Sequence, residues 1–287
     1  MPNKLQVVRS IAELRGVVAQ WRNNGHRIGL VPTMGALHSG HLGLVRRAAQ
    51  LADRTLVSIF VNPSQFAPHE DLARYPRDEA GDLAKFATEE CHLVWAPTAV
   101  EMYPEGFATR IAPAGAAQGL ESDFRPHFFG GVATVCCKLF TQMAPDIAVF
   151  GEKDYQQLAV VRQMVRDLDL PLEIVGLPTV READGLAMSS RNAYLSPDQR
   201  RTAPTIYAVI TAVAEAARQG AAIDKAVAEG KKALESAGFK VDYLEVRDAE
   251  TLKAAEPGAR GPLRVLAAAW LGKTRLIDNI AIEQHSA

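Results

Sequence analysis

The chain of 287 residues has almost no net charge, few cysteines and no long apolar run. Its formal charge is −1 at pH 7, from 32 basic and 33 acidic side chains spread along its length. That balance offers no bulk attraction to a polyanion, so nucleic acid is not an expected partner, although a local cationic pocket stays open. The cysteines are Cys91, Cys136 and Cys137. Their odd number, the adjacency of two of them and the lack of ligand-like spacing argue against a disulfide framework or a zinc site. Buried, inert thiols in a reducing compartment are expected instead. No apolar stretch approaches the length of a membrane span. Met1-Pro2-Asn3-Lys4 lacks the apolar core of a signal peptide. The expectation is a soluble cytoplasmic protein without a membrane partner. Repeats and low-complexity tracts are lacking too; Thr211 to Ala237 is rich in alanine, as a surface helix can be.

What the chain does have is an alternation of short apolar runs and helical spacings. Ile28 to Val31, Thr55 to Val61, His92 to Ala96, Asp146 to Phe150 and Leu172 to Leu177 read as buried strands. Helical periodicity fits Ile11 to Asn23, His41 to Asp53, Glu79 to Glu90, Ala133 to Met143 and Tyr155 to Leu168. Continuous apolar strands alternating with helices predict a parallel sheet covered on both faces. The fold class is therefore α/β, a Rossmann-like doubly wound sheet. After Pro178 the pattern changes to a polar, turn-rich connection. Ser196 and Pro197 then look like an N-cap and first helical residue. Two alanine-rich helices follow, then strands at Lys240 to Val246, Leu263 to Leu271 and Thr274 to Ile282. The predicted division is a Rossmann-like domain over 1–178 and a smaller α+β domain over 179–287.

In doubly wound folds ligands sit beyond the carboxyl ends of the strands. The polar residues there are His38 and His41, then Asn62 and Gln65, then Lys153 and Asp154. Val31-Pro32-Thr33-Met34-Gly35-Ala36-Leu37-His38-Ser39-Gly40-His41 is the most informative stretch. It lies where a strand hands over to a helix N-terminus, a place where backbone N–H groups and the helix dipole can hold phosphate. Two imidazoles add donors to a polyphosphate. A metal pair is the competing reading, but no cysteine or carboxylate nearby in sequence completes a zinc set.

His38-Ser39-Gly40-His41 resembles the nucleotide signature of the His-x-Gly-His adenylyl-transferring superfamily. The longer Pro32-to-His41 segment resembles one of its families, the pantoate–β-alanine ligases. The same family resemblance extends, in order, to Asn62-Pro63-Ser64-Gln65-Phe66, Tyr75-Pro76-Arg77, Phe150-to-Gln157, Met188-Ser189-Ser190-Arg191-Asn192 and Asp278-Asn279. It implies an ATP-dependent ligase that joins pantoate to β-alanine through pantoyl adenylate, releasing pyrophosphate and AMP. It implies that ATP is held by Pro32, Thr33, Met34, Gly35, Ala36, Leu37, His38, Ser39, Gly40 and His41, by Gly151, Glu152, Lys153 and Asp154, and by Val180, Met188, Ser189, Ser190 and Arg191. His41, His38 and Lys153 are the implied catalytic residues. Asn62, Gln65 and Gln157 are implied for pantoate, and Gln65 also for β-alanine. Mg2+ is expected with the ATP, with Asp82 as a candidate contact; a carboxylate favourable at a helix N-terminus is the other reading of Asp82. The loop from Phe66 to Arg77, with Pro68 and Pro76, is placed to border the site. A homodimer is also implied. One departure stands out: where the family runs Arg-Pro-x-His-Phe, this chain has Arg125-Pro126-His127-Phe128-Phe129, with the histidine one place early. Another adenylyltransferase, or a nucleotide-binding regulator without turnover, are the alternatives.

Overall fold

A computed structural model describes residues 5–67, 70–255 and 261–283; Pro68 lies outside them. In chain order the elements are β1 (Gln6–Val8), α1 (Ile11–Asn23), β2 (Ile28–Thr33), α2 (Ser39–Leu51), β3 (Arg54–Ile59), α3 (Glu79–Phe86), β4 (Leu93–Trp95), α4 (Ala99–Met102), α5 (Glu121–Phe124), α6 (Phe128–Met143), β5 (Ile147–Gly151), α7 (Tyr155–Asp167) and β6 (Glu173–Leu177). Then come α8 (Pro197–Thr202), α9 (Thr205–Arg218), α10 (Ile223–Ser236), β7 (Phe239–Asp248), β8 (Leu263–Leu271) and β9 (Thr274–Ile282). The described residues fall into two compact units. One holds the residues up to Glu152 together with Val160–Pro178; the other holds Lys153–Ala159 together with the residues from Thr179 onward.

The first unit is built on a six-stranded sheet of order β1-β4-β3-β2-β5-β6, with every pairing parallel. The expected doubly wound sheet is thus present, with one strand more than the sequence shows. β1 is only three residues long and carries too little pattern to read. The order reverses between β2 and β5, the crevice where such folds take ligands. Val31, Val57, Val94, Ile147 and Val149 pack with Leu44, Val45, Ala48 and Phe86 on one face. Leu30, Leu56 and Leu93, also fully buried, alternate to the other. Each such side chain contributes about 1.5–3 kcal/mol of burial. α1 starts at a capping box in which Ser10 and Glu13 each satisfy the other's backbone.

α6 begins at Phe128, five residues before the sequence suggests. Gly130 and Gly131 look like a break, but both Phe128 and Phe129 are buried and pay for the extra turn. Gly131 is there for a close approach. A Cβ on it would lie 2.4 Å from the Ser64 carbonyl oxygen.

The second unit carries an antiparallel sheet, β7-β8-β9, as its sequence predicts. α9 and α10 supply Ile206, Val209, Ile210, Val213 and Leu234 to a core shared with Leu244, Val265, Ala267 and Leu276. Ser196 caps α8 in a capping box with Gln199, and Pro197 takes the first helical position. Gly230 packs where a larger residue would strike Leu244 and Val213.

Candidate active site

The loop between β2 and α2 is shaped by two consecutive left-handed residues, Gly35 (φ 79°) and Ala36 (φ 53°). Glycine takes that conformation freely; alanine does so at a cost of about 1–2 kcal/mol. Thr33 Oγ1 donates to the Ser58 carbonyl (2.7 Å) and accepts from Gly35 N–H (3.2 Å). The buried Asp82 carboxylate, on α3, accepts Ala36 N–H (2.8 Å) and Leu37 N–H (2.9 Å). Lys85 Nζ donates to the Leu37 carbonyl (2.8 Å).

His38 is the N-cap of α2, and its own N–H donates to His41 Nδ1 (3.3 Å). An accepting Nδ1 puts the proton of a neutral His41 on Nε2, so that edge is a donor. The two imidazoles lie with centroids 4.1 Å apart. The loop amides that precede the helix are held within the protein. The amides of Gly35, Ala36, Leu37 and His38 are bonded to Thr33, Asp82 and His41.

After β3, Asn62 and Gln65 are both buried, on a 3-10 turn over Pro63–Gln65. Their amides form a one-way chain. Asn62 Oδ1 accepts from Ser64 N–H (3.2 Å), Ser64 Oγ (2.8 Å) and Tyr103 OH (2.8 Å). Its Nδ2 must then donate, and does so to the Gly131 carbonyl (3.2 Å) and Gln65 Oε1 (3.1 Å). Gln65 is left presenting its NH2, which donates to the weak acceptor Met34 Sδ at 3.1 Å. Burial pushes the Tyr103 phenol above its usual range, which keeps it a donor to Asn62. The structure thus brings Met34, Asn62 and Gln65 together and gives Asn62 a holding task, with its donors and acceptor spent on protein.

Arg125 fixes the far side of this turn. Its guanidinium grips Glu70 through Nε (2.8 Å) and Nη2 (2.7 Å), donates to the Gln65 carbonyl (3.2 Å) and lies 3.9 Å from the Phe128 ring centroid. Phe128, in the slot where the family carries histidine, is the platform for that cation. His127 turns toward Glu70, Nε2 to Oε1 3.9 Å.

In the second unit Lys153 and Asp154 lie on a 3-10 turn directly after Glu152, Nζ to Oδ2 3.6 Å. Asn279 on β9 donates to the Lys153 carbonyl (2.9 Å) and accepts from Arg264 (2.5 Å). Arg264 in turn stacks on Tyr155, whose hydroxyl donates to the Ala249 carbonyl (2.8 Å). Beside Asn279, the fully buried Asp278 receives both Nη atoms of Arg181 (2.7 and 2.9 Å). Gln157 is half-buried on the first turn of α7. Val180 and Met188 face each other through Met188 N–H to the Val180 carbonyl (3.0 Å). Ser189 Oγ accepts from Arg191 N–H (3.2 Å), capping the turn over Ser190–Tyr194 and keeping its own O–H available.

Mg2+ prefers hard oxygens and retains much of its water. Among the described residues no group of three or more His, Cys, Asp or Glu side chains could hold a metal ion. Asp82 belongs to no such group: it is 2% exposed, and each of its oxygens accepts a loop amide. A metal carried in on the triphosphate remains compatible and belongs to the substrate.

A sequence profile of the pantoate-beta-alanine ligase family matches residues 6–281. The chain belongs to that family, and it is a ligase. The pantothenate synthetase of Paramagnetospirillum magneticum is 55% identical over 284 residues, 99% of this chain and 100% of that protein. That of a Bradyrhizobium species is 56% identical over 278 residues, 96% and 98% of the two chains. Among solved structures, the pantothenate synthetase of Thermus thermophilus is 47% identical with a TM-score of 0.91, covering 96% of this chain and 99% of its own. The Francisella tularensis pantoate-beta-alanine ligase, complexed with beta-gamma ATP and beta-alanine, is 32% identical with a TM-score of 0.79, covering 98% of each chain.

Tyr103, Lys85 and the Arg125–Glu70 pair are not expected from the sequence. Their contacts to Asn62, Leu37 and each other span 41 to 55 residues, and no local periodicity signals such pairings. The Asp278-Asn279 resemblance is a usable signal for the support of Lys153.

Proposed function

We propose that this ligase condenses pantoate with β-alanine through a pantoyl adenylate, using ATP and releasing AMP and pyrophosphate. A carboxylate resists attack by an amine because its carbonyl is deactivated and oxide is a poor leaving group. Transfer of an adenylyl group makes AMP the leaving group. The pantoate oxygen attacks the α-phosphorus, pyrophosphate departs, and the amine of β-alanine then displaces AMP. The first step needs alignment and neutralisation of charge on the phosphate oxygens.

The one-way amide chain carries the site assignment. Ser64 N–H orients Asn62, Asn62 orients Gln65, and Gln65 offers N–H donors to a carboxylate without adding full positive charge. An arginine there would hold the nucleophile more tightly and blunt it. Gln157 is assigned to the pantoate hydroxyls, and Gln65 also to β-alanine. His41, through its Nε2–H, and His38 meet the triphosphate. Lys153 supplies a mobile point charge to it. Ser189, Ser190 and Arg191 hold it with two hydroxyls and a guanidinium. Mg2+ enters on ATP. A cytoplasmic homodimer is the matching assembly; light scattering tests the stoichiometry.

The decisive experiment is ATP–pyrophosphate exchange with pantoate present and β-alanine withheld. Exchange that depends on pantoate is expected. Its absence from active, folded protein removes the adenylate.

A further inference from the structure

We propose that Asp82 is a positioning residue for the two histidines, acting through the loop backbone with Lys85 as its partner. This rests on the ligase reading for its kinetic consequences but not for its structural ones. Successive N–H groups in a left-handed turn form a concave anion site, of the kind that elsewhere takes phosphate. Here Ala36 and Leu37 form such a concavity, and the protein's own carboxylate fills it. Asp82 is 2% exposed. Its Oδ2 lies so close that a Cβ on Gly35 would be 2.9 Å away. Lys85 Nζ stands 3.8 Å from Asp82 Oδ1 while donating to the Leu37 carbonyl, so one residue is held through both its N–H and its C=O.

Leu37 is followed at once by His38, the cap whose N–H fixes the Nδ1 of His41. The geometry therefore runs Asp82, Ala36 and Leu37, His38, His41. The left-handed Ala36 is strained, and the two charged hydrogen bonds offset that strain. Without them the loop relaxes, the cap N–H turns away, and His41 loses the contact that places its proton on Nε2. Asp82 touches no substrate in this scheme, which separates it from a metal ligand.

The test uses full-length Asp82→Asn, Lys85→Met and Lys85→Arg. Nitrogen-15 spectra of labelled histidine report the His41 tautomer without turnover, so this readout survives any failure of the ligase assignment. Wild type is expected to show the Nε2–H form, and Asp82→Asn a mixture. In ATP–pyrophosphate exchange, Asp82→Asn is expected to lower kcat by about 100-fold, the scale of an ångström-sized misplacement. The half-saturating Mg2+ concentration should stay unchanged. Lys85→Met is expected to lose about 10-fold, on the scale of one charged hydrogen bond, and Lys85→Arg, which keeps a donor, to recover most of that. An unaltered tautomer in Asp82→Asn overturns the proposal, as does a many-fold rise in the Mg2+ requirement. Should Asp82→Asn not fold, equal activities of the two Lys85 variants overturn it.

Discussion

Two neighbouring glycines in α6 should respond oppositely to the same added methyl group. At Gly131 a Cβ would meet Ser64 O at 2.4 Å, Ser64 C at 2.7 Å and Gln65 N at 2.8 Å. All three are backbone atoms, so no side chain can swing aside. The gap is about 1 Å short of ordinary contact, and helix and turn must separate by that much. Alanine gains about 1 kcal/mol over glycine inside a helix, while overpacking of a rigid contact costs about 1–3 kcal/mol. Gly131→Ala should therefore lose about 1–2 kcal/mol at the upper end of that cost, a fall of roughly 2–8 °C in the melting temperature of a unit this size. At Gly130 the nearest atom is Ile111 O at 3.5 Å. Gly130→Ala keeps the helix gain and should melt level with or up to about 4 °C above wild type. Because Ser64 and Gln65 carry the amide chain, Gly131→Ala should also lose about 100-fold in kcat/KM for pantoate. Thermal unfolding and initial rates measure both. If Gly131→Ala melts at or above Gly130→Ala, or keeps its pantoate kcat/KM, the close-approach argument is wrong.

Gln157→Ala should raise the KM for pantoate far more than that for ATP in steady-state assays; equal effects count against its assignment. Asp278→Asn leaves Arg181 half-partnered in a buried place and should cost about 3–5 kcal/mol in denaturant unfolding, with little loss arguing that solvent reaches the pair. Burial and the nearby Arg54 hold the His92 pKa below its ordinary value. The unfolded chain therefore binds that proton first, and stability contributed by neutral His92 is lost as pH falls below about 6.5. His92→Gln should flatten that part of a stability–pH curve, and an unchanged slope refutes it. Burial pushes the Cys91 and Cys136 thiols up to about 12. Both should resist iodoacetamide at pH 8 in native protein and react on unfolding, as read by mass spectrometry.

The architecture is legible because strands covered on both faces must be apolar throughout, as Ile28 to Val31 and Ile147 to Phe150 are. The site loops are legible because topology places them, and because His38-to-His41 and Asn62-to-Phe66 are distinctive. Residue tasks are harder to read. Asp82 offers the same carboxylate to a metal or to two amides, and only the turn of the loop decides between them. Asn62 resembles a substrate contact because its motif neighbours Gln65; Ser64 N–H and Gly131 turn it inward. α6 reads short in sequence because glycine is a poor helix former, while its reason for being there lies on another segment, at Ser64.

The stretch Lys153–Ala159 groups with the residues from Thr179 onward, although it begins two residues after the end of a strand of the large sheet. The junction at Pro178 thus offers no clean cut between modules. A fragment ending there would contain the ammonium side chain but not Asn279, which grips its carbonyl, nor Ala249, the acceptor for Tyr155. Transplanting the front half of one such enzyme onto the back half of another requires that this short graft travel with the back half.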